Sequence, residues 1–372
     1  MSMSQAPDED RRWMDAALNF GERSLGLAAP NPSVGAILVK DGVVVGRGVT
    51  APGGRPHAES IAIAEAGEAA RGATLYVTLE PCSHTGGSPP CVDAVIEGGV
   101  ARVVSAMEDP NPRVAGQGHA RLRKAGVEVV VGVGEEQARR DHRGHILLVT
   151  QRRPAVTLKL AETADGFAAG DAHDQRLRIT GQIANARVQI MRATHEAIMI
   201  GVETAIADDP ALTVRLPGLD RKPLRVVLDT RLRLPPTSRL VATARDLPTL
   251  VICGLDASIQ AAVRLKDLGL EVETVGLDPC GGVDLAQALR ALTEHRVTRV
   301  FSEGGPRVAA RLIELGLADE VVIFTAEKPL GRPGVPALET SARAALADPS
   351  RYRDFESAVY GADAMRRFER VG

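Results

Sequence analysis

The chain reads as α/β throughout, in two successive domains. Three observations predict this. At 372 residues it exceeds the size at which a single core stops growing. Short β-branched runs alternate with amphipathic stretches of helix length along both halves. A charged stretch at 135–143, closed by Gln151-Arg152-Arg153-Pro154, separates the halves, and a fresh strand begins at Ala155. The seam is placed near Thr150, giving domains of residues 1–150 and 151–372.

In the first half, strands are predicted at 34–39, 43–48, 74–79, 101–106 and 127–131. Helices fall between them, at 11–25, 57–70, 91–98 and 116–125. Asp41-Gly42 is a hairpin signal, because both residues accept the left-handed backbone of a tight turn. Later strands are each followed by a helix, which predicts a mainly parallel sheet covered on both faces. The second half repeats the alternation, with strands at 155–161, 197–201, 224–228, 249–253, 270–275, 299–302 and 320–325. Its helices are expected at 181–194, 258–268, 285–294 and 307–315. There is no fixed-period repeat and no low-complexity tract.

Composition excludes several classes of function. Hydrophobic residues make up 44%, charged residues 25%, and the net charge is −2. Such a balance provides no field for gripping a polyphosphate backbone. Aromatic residues are only 3%, too few for a base-stacking platform. Nucleic acid is therefore not an expected partner. The N-terminus is charged from Asp8 onward and lacks the apolar core of a signal peptide. No apolar run approaches bilayer thickness, so no membrane association is expected. Of the four cysteines, Cys82 and Cys91 are close together while Cys253 and Cys280 stand alone. In a reducing cytosol that pattern assigns metal or catalytic chemistry to the first pair and plain packing to the others. A cytoplasmic location follows.

Three pieces of the first half carry chemistry: His57-Ala58-Glu59, Pro81-Cys82 and Pro90-Cys91. One imidazole and two thiolates make three zinc ligands and leave a fourth tetrahedral position for water, which marks a catalytic rather than a closed structural site. His57 and Cys91 each open a helix, where the dipole favours a thiolate. Glu59 stands two residues beyond a ligand, where it can shuttle a proton without coordinating the metal. This His-x-Glu…Pro-Cys…Cys order is the signature of zinc nucleobase deaminases. Eight residues separate the cysteines here, against two in the general motif. Taken singly, a His-x-Glu is usually a surface helix start and two cysteines are often buried thiols; the order and the strand-to-helix settings favour the metal. His84 is a rival ligand, but a substrate-contact or loop role suits it better.

No Gly-x-Gly-x-x-Gly fingerprint follows a strand in the second half, so a Rossmann site is not supported. Ser302-Glu303-Gly304-Gly305-Pro306 instead joins a strand to a helix. Two glycines permit close backbone approach, Pro306 suits a first helical turn, and free N–H groups there can hold a cofactor phosphate. Alone, such a turn is usually only a connection.

The segment from Tyr76 to Cys91, YVTLEPCSHTGGSPPC, goes beyond the general motif. Together with Pro30-Asn-Pro-Ser-Val-Gly35 and Asp109-Pro-Asn-Pro-Arg-Val-Ala-Gly116, it closely resembles the bifunctional riboflavin-biosynthesis deaminase/reductase family, over nearly the whole chain. The resemblance implies a cytidine-deaminase-like three-layer N-terminal domain and a dihydrofolate-reductase-like C-terminal domain. It implies Zn2+ and NADPH as cofactors and a pyrimidine ribosyl phosphate as substrate, deaminated first and then reduced from ribosyl to ribityl. By matching motif, His57, Cys82 and Cys91 are the zinc ligands, Glu59 the proton shuttle and Asn31 a pyrimidine contact. Arg192 and Arg215 would hold the substrate phosphate, with Leu212 and Glu303 lining the substrate pocket. Ala161, Thr204, Asp208 and the segment 305–311, including Gly305, Pro306 and Arg307, would contact NADPH. Lys159 and Asp208 are candidates for polarising or protonating the imine that the opened ribosylamine presents. Without the resemblance, Lys159 reads as a strand-end lysine and Asp208-Asp209-Pro210 as a turn.

Two departures from the family stand out. Gly86-Gly87 occupies the loop position where a Lys or Arg is usual, which predicts a weaker hold on the substrate phosphate. Arg178 stands where a Trp is common; it can stack there or reach the extra phosphate of NADPH. Association through the reductase domains, giving a homo-oligomer, is a further implication of the family. The alternative is a deaminase of a nucleoside or tRNA base with a C-terminal binding module, which the low basic charge and sparse aromatics oppose.

Overall fold

The computed structural model describes residues 8–84, 89–170 and 177–371. The chain divides into two units, Met1–Arg152 and Arg153–Gly372.

In the first unit, α1 (Asp8–Gly21) precedes the hairpin of β1 (Gly35–Lys40) and β2 (Val43–Val49). Its turn residues Asp41 and Gly42 have φ of 51° and 73°, the left-handed values that the Asp-Gly pair supplies. Then follow α2 (Ala58–Ala66), β3 (Thr74–Val77), α3 (Cys91–Glu97), β4 (Arg102–Ser105), α4 (Gln117–Lys124), β5 (Glu128–Val131), α5 (Glu135–Asp141) and α6 (Arg143–Gln151). The sheet order is β2-β1-β3-β4-β5. Only β3, β4 and β5 run parallel; β1 is antiparallel to both its neighbours. The sheet is thus mixed rather than mainly parallel, because the hairpin reverses the chain before the first crossover helix.

Helix α2 rides very close to β2. A Cβ on Gly46 would lie 2.2 Å from Ala62 O, and one on Gly48 would lie 2.0 Å from Ala58 O. Alanines 58, 62 and 66 form the facing stripe, so small residues on both elements bring the backbones together. The charged stretch read as a connection is helical. Its charges make i,i+4 pairs, Arg139–Glu135 and Arg140–Glu136, while Ala138 and Leu147 are buried.

The second unit continues with β6 (Ala155–Glu162), β7 (Phe167–Ala169), α7 (Gln182–Ala193), β8 (Ala197–Gly201), α8 (Val202–Asp208), β9 (Leu224–Leu228) and α9 (Arg239–Ala242). Next come β10 (Thr249–Gly254), α10 (Ile259–Asp267), β11 (Glu271–Val275), α11 (Leu285–Glu294), β12 (Arg299–Ser302), α12 (Pro306–Glu314) and β13 (Glu320–Thr325). The chain closes with β14 (Val335–Pro336), α13 (Thr340–Ala347), β15 (Tyr352–Tyr360) and β16 (Asp363–Arg370). The main sheet is ordered β11-β10-β9-β8-β12-β6-β13-β16-β15, parallel except for its last two pairs. Side chains alternate between faces: Met199 packs with α11 and α12, whereas Ile198 and Ile200 pack with Leu240 and Leu265 on the other side. Strands covered on both faces are predominantly apolar, which is why their limits are plain in the sequence.

The β15–β16 hairpin was not among the predicted strands. Its alternation is obscured by charges paired across the strands, Arg353 with Glu369 and Arg366 with Asp354. Cys253 is buried as expected, but Cys280 is exposed in a turn closed by Asp278, so plain packing does not describe it.

Candidate functional sites

Each ligand-bearing residue of the first unit stands where an element begins or ends. His57 is the N-cap residue of α2, Cys91 opens α3 behind Pro90, and Cys82 lies in the loop leaving β3. His57 Nδ1 is 3.2 Å from Cys91 Sγ and 3.7 Å from Cys82 Sγ. Tetrahedral zinc with ordinary Zn–N and Zn–S lengths separates such ligands by about 3.6 Å, and the three donor atoms, all within 4.8 Å of one another, are grouped as that ion requires. Among the described residues no other His, Cys, Asp or Glu joins this group, and His84 is exposed.

The thiols differ sharply. Hydrogen bonding with Cys91, through its thiol and then its backbone N–H at 3.3 Å, together with His57, holds Cys82 down to about 4 against the opposing effect of burial. Cys91 is pushed up, first by Cys82 beside it and then by burial. A helix start alone would have lowered it; two adjacent anions outweigh that effect until a cation joins them. Glu59 is 3% exposed, and burial raises its carboxyl to about 7. Asn31 Nδ2 donates to Gly54 O at 2.9 Å and lies 3.2 Å from His57 Nε2. It thus sits against the ring edge opposite the cysteines.

In the second unit a cleft opens at the carboxyl ends of β6, β8 and β12, the usual crevice of a parallel sheet. Lys159 and Ala161 reach it from β6, Thr204 and Asp208 from α8, and Arg192 from α7. Leu212, Glu303, Gly305 and Pro306 line it as well. Gly305 is the N-cap of α12 with Pro306 in its first turn, and no side chain caps the helix start. A Cβ on Gly305 would lie 3.0 Å from Thr204 Oγ1. Uncapped N–H groups beside a bare backbone fit a phosphate of a dinucleotide such as NADPH.

Arg192 is less open than expected of a phosphate ligand. Its Nε and one terminal nitrogen meet the two oxygens of Glu303 at 2.5 and 2.9 Å, and the other donates to Thr213 O at 2.9 Å. Arg215, Arg307 and Arg178 are exposed and do not line the cleft. Gly86-Gly87 lies outside the described residues.

Arg225 escaped the sequence reading. Its side chain is 1% exposed and among the described residues bonds neutral acceptors, including Leu240 O at 3.1 Å, Thr243 Oγ1 at 2.8 Å and Ala211 O at 3.4 Å. It braces the cleft wall beside Leu212, whose φ of 48° is strained for a branched residue. The available signal was an arginine inside the apolar run Leu-Arg-Val-Val-Leu.

Comparison with known proteins follows the same division. Residues 7–107 match the cytidine and deoxycytidylate deaminase zinc-binding region, and residues 154–363 match the RibD C-terminal domain. The riboflavin biosynthesis protein RibD of Aquifex aeolicus is 41% identical over 322 residues, covering 87% of this chain and 88% of that one. Its Escherichia coli counterpart is 38% identical over 335 residues, covering 87% and 89%. Among solved structures, Acinetobacter baumannii RibD superposes with a TM-score of 0.83 at 34% identity, covering 98% of this chain and 99% of that one. A Thermotoga maritima diaminohydroxyphosphoribosylaminopyrimidine deaminase/5-amino-6-(5-phosphoribosylamino)uracil reductase gives 0.82 at 32% identity, with the same coverage.

Proposed function

Since the chain belongs to the RibD family of riboflavin-biosynthesis proteins, we propose that it is a bifunctional enzyme performing two consecutive reactions. The first is zinc-dependent hydrolytic deamination of 2,5-diamino-6-(5-phosphoribosylamino)pyrimidin-4-one. The second is NADPH-dependent reduction of the product's ribosyl group to ribityl. Residues 1–150 carry the deaminase and 151–372 the reductase. The observation that carries this reading is the His57–Cys82–Cys91 triad with the buried Glu59 two residues from its histidine.

Zinc held by these ligands supplies Lewis acidity, which makes water a nucleophile near neutral pH. Glu59 accepts a proton from the attacking water on a carboxyl oxygen and delivers it to the departing amine nitrogen. A C–O bond forms, the C–N bond breaks, and ammonia leaves. Asn31, beside His57, offers its amide to the pyrimidine.

NADPH, bound in the second unit, supplies the reducing equivalent. Gly305 and Pro306 at the start of α12, with Ala161, Thr204 and Asp208, form its seat, and the exposed Arg307 follows at the mouth of the same helix. The ribosylamine must open before its C1 can be reduced; Lys159 and Asp208 hold and deliver the proton that polarises the opened imine. Leu212 and Glu303 bound the substrate. Arg215 supplies the cation for its phosphate, with Arg192 contributing while it grips Glu303.

The wider setting follows from the surface. The edge strand β15 leaves Val359 74% exposed, and Ile183 of α7 is 59% exposed, which supports self-association through the reductase half. The absence of disulfides among the four cysteines supports a reducing, cytoplasmic compartment, and among the described residues no helix is long and apolar enough to cross a membrane.

The test is to supply freshly made diaminopyrimidine ribosyl phosphate with NADPH and follow NADPH absorbance for the native chain and Glu59→Ala. Consumption by the native chain alone supports deamination followed by reduction. If the pre-deaminated compound also fails with the native chain, the reading is wrong.

A further inference from the structure

Glu80 immediately precedes the Pro81-Cys82 pair, is 5% exposed, and has no role in the chemistry above. Its carboxylate is occupied by main-chain donors. Oε2 accepts from the N–H groups of Asp109 and Gly116 at 3.0 and 2.9 Å. Oε1 accepts from Gly118 and His119 at 2.7 and 3.2 Å. One side chain thereby fastens both ends of the loop that leaves β4. The approach is close, since a Cβ on Gly118 would lie 2.1 Å from Pro81 O.

That loop borders the metal site by topology. Strands β3 and β4 are adjacent and parallel, so the segment carrying Cys82 and the loop 109–119 leave the sheet at the same end. There a ligand has its crevice. Further ties run the same way: Arg121 of α4 pairs with Asp93 of the Cys91 helix and donates to Ser83 O at 3.4 Å. All four partners of Glu80 are donors, so the position demands an acceptor on both oxygens. Gln would turn an NH2 toward two N–H groups.

We propose that Glu80 is a positioning residue for deamination, one that sets the rim of the substrate pocket by clasping the loop 109–119. This rests on the deaminase reading given above. Loss of the clasp releases the loop while leaving the zinc ligands and Glu59 in place, so it weakens substrate binding and spares the chemical step.

The experiment uses the full chain and measures steady-state deamination, bound zinc and amide hydrogen exchange for the unaltered protein, Glu80→Gln and Gly116→Ala. Glu80→Gln is expected to raise KM by about tenfold or more, to keep kcat within about threefold, and to retain its zinc. Exchange at Asp109, Gly116, Gly118 and His119 should accelerate. Gly116→Ala adds a Cβ at a φ of 74° and leaves Glu80 untouched; it is expected to raise KM by about threefold with zinc retained. If Glu80→Gln does not fold, Gly116→Ala decides alone. An unchanged KM despite faster exchange overturns the proposal. So does zinc loss in Glu80→Gln, which would make Glu80 a mere support for Cys82. Absence of deamination by the unaltered chain refutes the deaminase reading, and the proposal with it.

Discussion

Gly48→Ala offers a direct test of how the deaminase site is built. The added methyl would lie 2.0 Å from Ala58 O and 2.8 Å from Ala62 N, both on α2. A carbon and a carbonyl oxygen rest at about 3.3 Å, so strand and helix must separate by about 1.3 Å. The atom struck belongs to the residue between His57 and Glu59, and the displacement therefore falls on a ligand and on the proton shuttle together. Misplacement by about 1 Å costs about 100-fold in rate, while overpacking costs about 1–3 kcal/mol of stability. Deamination and reduction are assayed separately on one preparation, the second from pre-deaminated substrate, with bound zinc measured alongside. Deamination should fall about 100-fold with reduction unchanged, and Val43→Ala, at a strand position 62% exposed, should leave both intact. A Gly48→Ala chain that deaminates at the native rate with full zinc would refute the claim that this contact positions the helix.

Removing zinc with a chelator should abolish deamination and leave reduction of the pre-deaminated compound unchanged, with zinc but not magnesium restoring the first activity; persistence of deamination would sink the donor assignment. Arg192→Ala strips Glu303 of its guanidinium partner and should lower reductase kcat/KM by about 30-fold, or about 2 kcal/mol, with only partial rescue by Lys, whose ammonium cannot span both oxygens. Unaltered kinetics in Arg192→Ala would show that the pair is incidental. His195 is wholly buried, which with Arg299 nearby lowers it from 6.5 to about 3, so it stays neutral in the folded chain. Below 6.5 the unfolded chain gains a proton that the folded chain refuses until about 3. Acidification within that window therefore weakens the second unit by up to about 1.4 kcal/mol per pH unit. Denaturant melts of the native chain and His195→Gln at about pH 7 and pH 5 test this, and equal losses in the two proteins would contradict it.

What could be read from the sequence follows from how narrowly physics restricts each position. The metal triad was legible because few residue types bind zinc and their order along the chain is recognisable. Strands β8, β9, β12 and β13 were legible because burial on both faces demands mostly apolar runs, with Arg225 the interruption in β9. The β15–β16 hairpin was hidden, since its cross-strand ion pairs place charges where alternation would show apolar residues. The helix α5 was hidden by its charged residues, Glu135 to Asp141. Couplings across long separations left no local trace: Arg192 and Glu303 are 111 residues apart, and the acceptors of Arg225 lie on several segments. Glu80 stood inside a conspicuous motif, yet its partners are backbone amides, which any sequence supplies.

The place of β12 in the second sheet has a consequence for the time course of synthesis. It lies between β6 and β8, although it begins at Arg299, long after β8 ends at Gly201. As the chain leaves the ribosome, its two neighbours emerge with an empty slot between them. At ordinary elongation rates that gap persists for roughly 5 to 20 seconds. Throughout that interval two apolar strands present unpaired edges to other nascent chains, and the strand that fills the slot is the one leading to Glu303 and Gly305. Premature termination before Arg299 would leave the first unit fully synthesised, joined to a half-made sheet of the kind that chaperones and proteases recognise.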